Sequence, residues 1–444
     1  MKKIIVSMVL GAGFCFMAQA ASDSWKLDAD GSYTNTANWL GGNVPGISDG
    51  TASADTAAFS AALTAGRTVT LPGTYAIGTI QFGNTSTNGY TISGSTFRIN
   101  NGGVIETVAG AGAHNDTVDS AIQLRGTGDT TVTIRNNSTD AGLKISGAIS
   151  ASTPADAHTF TINLDGTSTA SSIGGPANGI SGVINDGGQA ASHVAVVKNG
   201  TGSWSLTGKN TFAGGLTFNA GTLRYNSSGL STMFGAGVIN IASNGVEFRH
   251  ANSTVMELAN QMNVNADFTL AGNSNTTWSG GWDLNGGTRT LTVNADSAIS
   301  GVISSGAFTK AGTKILTLSG ANTYSGATTV SAGALIANAD YVFSGTTNIT
   351  VAGLATLTLQ NGVLNNYIGK HAQLILNNTS TLNLNFNGTN TIGGLSLDGG
   401  ATWLSNGAYT SAQLASLNPS GTYSGNGSLT VGAKVFRLIS ITSP

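Results

Sequence analysis

Apolar residues alternate with Thr, Ser and Asn along most of the chain, in short runs broken by glycine. Thr131-Val-Thr-Ile134, Phe160-Thr-Ile-Asn163 and Leu291-Thr-Val-Asn294 are examples. A period of two is the signature of a half-buried β-strand, and glycine between such runs marks a tight turn. Two stretches, Lys198 to Leu223 and Lys310 to Leu335, align without a gap, with glycines matched at Gly200/Gly312, Gly208/Gly320, Gly214/Gly326 and Gly221/Gly333. In the first copy the inward places are Trp204 and Leu206, Leu216 and Phe218, and Leu223 and Tyr225. In the second they are Leu316 and Leu318, Thr328 and Val330, and Leu335 and Ala337. Three short strands in roughly 25 residues describe one coil of a parallel β-solenoid, whose apolar face is buried only by stacking on the next coil. An echo, Ile-Ser-Gly-x-Ile, recurs at 145–149, 180–184 and 299–303. The fold class expected is all-β, a rod on the order of 70–80 Å long.

The ends read differently. Residues 21–66 hold Trp25, Trp39, Pro45 and Phe59 among polar turn residues, as an N-terminal cap over the first coil's open edge would. The solenoid is expected over 67–390, and C-terminal strands and a cap over 391–444. Residues 1–20 read as a signal peptide: Lys2 and Lys3, an apolar core from Ile4 to Met17, and Ala18-Gln19-Ala20 before the cut. Phe14 stands where lipid processing before Cys15 needs a small residue, so plain export is expected. Cleavage removes the chain's one cysteine, leaving no thiol or disulfide chemistry.

Composition narrows the function. Of 444 residues 63 are Gly and only 9% are charged, against 40% hydrophobic, which fits neutral, hydroxyl-rich strand faces over a large core. The net charge of −2 and the lack of a basic cluster exclude nucleic acid as an electrostatic partner. No apolar span closes the chain, so no transmembrane segment is expected in the mature protein.

Candidate chemistry is sparse. His114, His158, His193, His250 and His371 stand at no metal-ligand spacing and read as turn or solvent-facing residues. Asp28 with Asp30, and Asp116 with Asp119, match no calcium-loop pattern and read as turn carboxylates. Lys198 and Lys310 hold equivalent repeat places, which points to a structural surface role. No catalytic residue, metal or cofactor is expected. The one binding candidate is the pair Trp278 and Trp282, a stacking platform for sugar rings if exposed; Gly280-Gly281 between them marks a turn and Trp204 is itself an inward residue, so core packing is the reading preferred for both.

The pattern Lys-x-Gly, then Leu-[Ser/Thr]-Gly-x-Asn-Thr-[Phe/Tyr]-x-Gly, then Ala-Gly-x-Leu, at Lys198 to Leu223 and Lys310 to Leu335, resembles the autotransporter-associated β-strand repeat of bacterial passenger domains. The resemblance implies a right-handed parallel β-helix that is exported and surface-displayed or released; the signal peptide by itself leaves the periplasm open as a destination. A translocator barrel is not recognisable after Leu397, so a separate export route is expected. The function expected is a non-enzymatic adhesive or scaffolding rod contacting glycans or other extracellular components. The alternative is a carbohydrate-active β-helix enzyme, which needs carboxylates from successive coils to converge in a groove.

Overall fold

The structure, a computed structural model, describes residues 21–152, 157–170, 177–188, 191–226 and 232–432. The expected signal peptide and the tail from Lys434 lie outside the described residues. The strands wind into a three-sided parallel β-solenoid. The first side is a 12-stranded sheet from Asp23–Trp25 to Ile303–Ser304, and the second a 16-stranded sheet from Gly31–Ser32 to Gly394–Ser396. The third side is divided into a 6-stranded sheet, Ile47–Ser48 to Ile184–Asn185, and an 8-stranded sheet, Met256–Leu258 to Thr422–Ser424. Sixteen rungs at the ~4.8 Å spacing of paired strands make a rod roughly 70 Å long.

The alternation seen in the sequence is the alternation of core and solvent. Ile80, Ile105, Ile134 and Leu164 stand rung on rung in the first sheet, and all four are buried. Each such side chain contributes roughly 1.5–3 kcal/mol of burial that one coil alone does not provide. The repeat's inward places are buried as expected, from Trp204 through Ala337.

The coil itself differs from the expectation of three strands. Ser203–Leu206 pairs directly with Thr222–Tyr225, and Ile315–Leu318 with Ala334–Ala337, so these are the same side of successive coils. Within a repeat, a coil has two strands, and its remaining side is the Gly-x-Asn-Thr-aromatic segment. There an asparagine side chain adds to the backbone bonds between coils: Asn210 Oδ1 accepts from Ile184 N at 2.9 Å and its Nδ2 donates to Met233 O at 2.6 Å. Asn322 does the same between Ile303 N (2.8 Å) and Val342 O (3.0 Å). Each amide ties the coil before to the coil after, and the adjacent Phe212 or Tyr324 fills the core behind it.

The two copies also sit one side apart. Lys198 ends a strand of the first sheet, whereas Lys310 lies in the second; the non-strand segment accordingly falls on the third side in the first copy and on the first side in the second. The residues that make the repeat specify a corner and its flanking strands, whichever side they occupy.

The caps interleave with the end coils. Segment 21–66 supplies the first coil, with Asp23–Trp25 paired to Thr56–Phe59, and also covers its open edge: Lys26 N donates to Asn38 O at 3.1 Å and Leu40 N to Ser24 O at 2.8 Å. Trp25 and Trp39 meet edge to face at 5.3 Å beneath this cover. At the other end Ser428–Val431 pairs with Thr389–Ile392 and, antiparallel, with Gly407–Thr410, which leads into the helix Ser411–Leu417.

Candidate binding cleft

The structure corrects the stacking expectation for Trp278 and Trp282. Their exposures are 0% and 1%, and the rings meet edge to face at 5.9 Å in the core. Gly280-Gly281 turns the chain from the third side to the first, so both indoles point inward from different sheets rather than outward from one. No sugar reaches either face.

Two histidines are also not solvent-facing. His114 is buried: its Nδ1 lies 2.8 Å from Ser86 O, and its Nε2 3.0 Å from Asp116 Oδ2 and 3.1 Å from Asn84 Nδ2. His250 is buried against Tyr225 and lies 3.2 Å from Thr276 Oγ1. His371 is exposed, His193 faces Asp186 at 3.5 Å, and His158 faces Asp129 at 3.8 Å. Burial pushes the Asp116 carboxyl up, and Asp116 together with the Ser86 carbonyl outweighs burial to push His114 up. The remaining acids serve turns and strand ends: Asp28 receives Arg67 and Thr64, Asp30 accepts from Thr68 N, and Asp119 accepts from Ser146 Oγ. Among the described residues no three His, Cys, Asp or Glu side chains converge as a metal site.

Lys198 and Lys310 are structural, but buried rather than superficial. Lys310 Nζ donates to the carbonyls of Gly312 (2.7 Å), Lys314 (2.5 Å) and Ala332 (2.8 Å); Lys198 Nζ donates to Gly200 O and to Ala220 O at 3.0 Å. Burial pulls both ammonium groups down to about 8, with Asp296 and Asp165 opposing it.

Successive coils do gather charge on the outer face of the first sheet. Gln81, Glu106 and Arg135 stand in register; Glu106 accepts from Gln81 Nε2 at 2.7 Å and from Arg135 Nε at 2.9 Å. The single sequence hid this column because its members are a coil apart. Its carboxylate is fully engaged by its neighbours.

One cleft has polar groups that the fold does not use. It measures about 710 Å³ and lies where the third side turns back to the first, beside Thr51, Asn100, Asn101, Arg125, Asp129 and Thr130. Arg125 and Asn100 end neighbouring strands in direct register, each at an outward position. The loop carrying Thr51 is fastened by Arg98, whose Nη1 donates to Asp49 O at 3.2 Å and Gly50 O at 3.3 Å. Asn101 Oδ1 accepts from Thr131 N, and Asp129 Oδ1 from Thr159 N at 2.9 Å, fixing the other wall. Among the described residues Arg125 has no hydrogen bond or ion pair, and Asn100 Oδ1 is buried without a partner. Sequence reading missed this site, because it depends on a register between residues a coil apart and contains no aromatic signal.

The passenger-associated-transport-repeat family matches the chain at residues 196–224 and 308–337, the two repeats described above. Two such repeats on a parallel β-solenoid fit an autotransporter passenger repeat protein, and that family points to an exported, surface-associated molecule. No curated protein and no solved structure matches the chain. Among the described residues no helix is long and apolar enough to cross a membrane.

Proposed function

We propose that the chain is a non-enzymatic, autotransporter-passenger-like solenoid that serves adhesion or surface scaffolding, binding glycans or other extracellular components through many weak contacts. The observation that carries this reading is the repetition of neutral hydrogen-bonding groups along the rod. Thr290, Thr309, Thr329 and Thr350 form one outward column in register. Asn163, Asn199 and Asn219 form a hydrogen-bonded line across three coils, Asn199 Nδ2 donating to Asn163 Oδ1 at 2.7 Å and Asn219 Nδ2 to Asn199 Oδ1 at 2.6 Å. Regularly spaced hydroxyls and amides offer the same weak contact many times, and the linked contacts multiply in strength. The engaged state of Glu106 supports a structural role for the outward column of Gln81, Glu106 and Arg135.

The test is binding of the purified protein to a broad glycan array, with product analysis of the same polysaccharides after prolonged incubation. Retention without shortening supports the adhesive reading. Shortened saccharides overturn the non-enzymatic part of it, and failure to bind any glycan, matrix component or cell surface overturns the adhesive part.

A further inference from the structure

We propose that the cleft at Arg125 is a subsite for a carboxylated sugar, a hexuronate unit within an acidic polysaccharide. The inference rests on the adhesive reading and names the ligand chemistry of one place on the rod.

Arg125 supplies the recognition. A guanidinium presents a planar fork of donors that matches a carboxylate in two parallel hydrogen bonds. Elsewhere on the outer faces of the early coils arginines are spent on the fold: Arg67 on Asp28, Arg98 on the 49–50 loop, and Arg135 on Glu106. Arg125, at the end of its strand and in the same sheet as Arg98, has no such partner and faces a cleft large enough for a saccharide unit. A polar group that the fold neither pairs nor needs points to a ligand.

Asp129 decides what kind of anion fits. Its Oδ1 is held by Thr159 N, while Oδ2 is free to accept among the described residues, and the side chain is 80% exposed. Sulfate is repelled by this carboxylate and has no hydroxyl to offer it. A neutral sugar satisfies Asp129 but leaves the Arg125 fork empty. A uronate does both: its carboxylate meets Arg125, and a ring hydroxyl donates to Asp129 Oδ2. The hydroxyl of Thr51 at the cleft wall adds a neutral contact of the same kind.

The experiment is calorimetric titration of the purified protein with trigalacturonate, with its methyl ester, and with inorganic sulfate, repeated on Arg125→Gln and Arg125→Lys. Far-UV circular dichroism and the melting temperature establish that each variant is folded; Arg125 ends its strand on the outside, so both are expected to match wild type. The expected result is saturable binding of trigalacturonate, weakened about tenfold or more by the methyl ester and by Arg125→Gln, and less by Arg125→Lys. Competition by sulfate as effective as by uronate overturns the saccharide assignment. Equal binding of acid and ester, undiminished binding by folded Arg125→Gln, or no saturation up to ~10 mM ligand overturns the site itself. Adhesion to glycans or cells by a protein that ignores trigalacturonate sinks the subsite and leaves the adhesive reading standing.

Discussion

The ammonium of Lys310 lies 2.8 Å from the carbonyl oxygen of Ala332, one coil further along the rod. Lys198 makes the same connection to Ala220 at 3.0 Å. The repeat's first and last signatures, Lys-x-Gly and Ala-Gly-x-Leu, are therefore two halves of one joint. Gly333 completes it: its φ of +63° is left-handed, and an added Cβ would stand 2.5 Å from Lys310 Nζ. Lys310→Met keeps the aliphatic stem but deprives three carbonyls of their donor, and is expected to cost about 2–4 kcal/mol in denaturant unfolding. The native lysine also releases its proton near 8, earlier than the unfolded chain at 10.5, so the native state binds fewer protons between those values. Stability contributed by this group accordingly rises with pH across that window, and the rise is diminished in Lys310→Met.

His114 and Asp116 predict a pH dependence of the opposite sign. Ser86 O accepts only, so His114 Nδ1 carries a proton. Asn84 Oδ1 accepts from Ser86 N and Oγ, which turns the Asn84 Nδ2 donor toward His114 Nε2. The contact between Nε2 and Asp116 Oδ2 then needs one shared proton, on the imidazole or on the carboxyl. Both folded pKa values are raised, above the ordinary 6.5 for the histidine and above 3.8 for the aspartate. The native state thus holds protons that the unfolded chain releases. The histidine's stabilisation is complete below 6.5 and is lost as pH rises through its raised value; ionising buried Asp116 adds a loss at pH above 3.8. Urea unfolding monitored from pH 5 to 9 is expected to show this decline, and Asp116→Asn, which supplies an amide in place of the shared proton, is expected to flatten it. An unchanged slope in that variant would place the dependence elsewhere.

The solenoid was legible because period-two alternation and matched glycines are local properties of the chain. The coil's true outline was not. An Asn-Thr-aromatic segment has the composition of a loop, and the bonds of Asn210 and Asn322 to coils on either side, with the backbone bonds of Thr211 and Thr323, reveal it as the coil's remaining wall. The one-side offset between copies was equally hidden, since identical residues serve either pair of sides. For Trp278 and Trp282 the glycines between them already pointed to a corner and to core packing, and the stacking alternative fails because spacing along a continuous strand differs from spacing across that corner. Asp116 carried a readable signal: it occupies a core-facing place on the strand Asn115–Val118, where an unpaired carboxylate is costly and a partner is required. The cleft left none, because Arg125 and Asn100 become neighbours only through the winding of the chain.

The Ile-Ser-Gly-x-Ile echo marks corners packed too tightly for any side chain. A Cβ on Gly182 would lie 1.9 Å from Gly147 O, and one on Gly301 equally close to Gly280 O. The obstacles are backbone carbonyls of the preceding coil, so relief requires moving two rungs apart. Gly301→Ala is expected to destabilise by about 3 kcal/mol or more, or to prevent folding of the adjoining coils. Gly73, with nothing within 4 Å of its added Cβ, is the control, and Gly73→Ala is expected to stay within ~0.5 kcal/mol of wild type. Equal effects at the two positions, measured by thermal unfolding, would contradict the corner packing.

Trp278 separates the packing role of the indoles from any binding role. It packs edge to face against Phe248 at 5.5 Å and Trp282 at 5.9 Å, and its Nε1, like that of Trp282, is buried with no hydrogen-bond partner. An indole that donates no bond loses little when replaced by a smaller aromatic ring, whereas truncation opens a cavity that the stacked rungs cannot close. Trp278→Phe is therefore expected to cost about 1–2 kcal/mol and Trp278→Ala about 3–5 kcal/mol in unfolding free energy. Neither exposed surface nor polar contact changes in Trp278→Phe, so its glycan binding is expected to equal that of wild type. A selective loss of saccharide binding in a Trp278→Phe protein with an unaltered melting temperature would show that the ring reaches solvent and would reverse its assignment to the core.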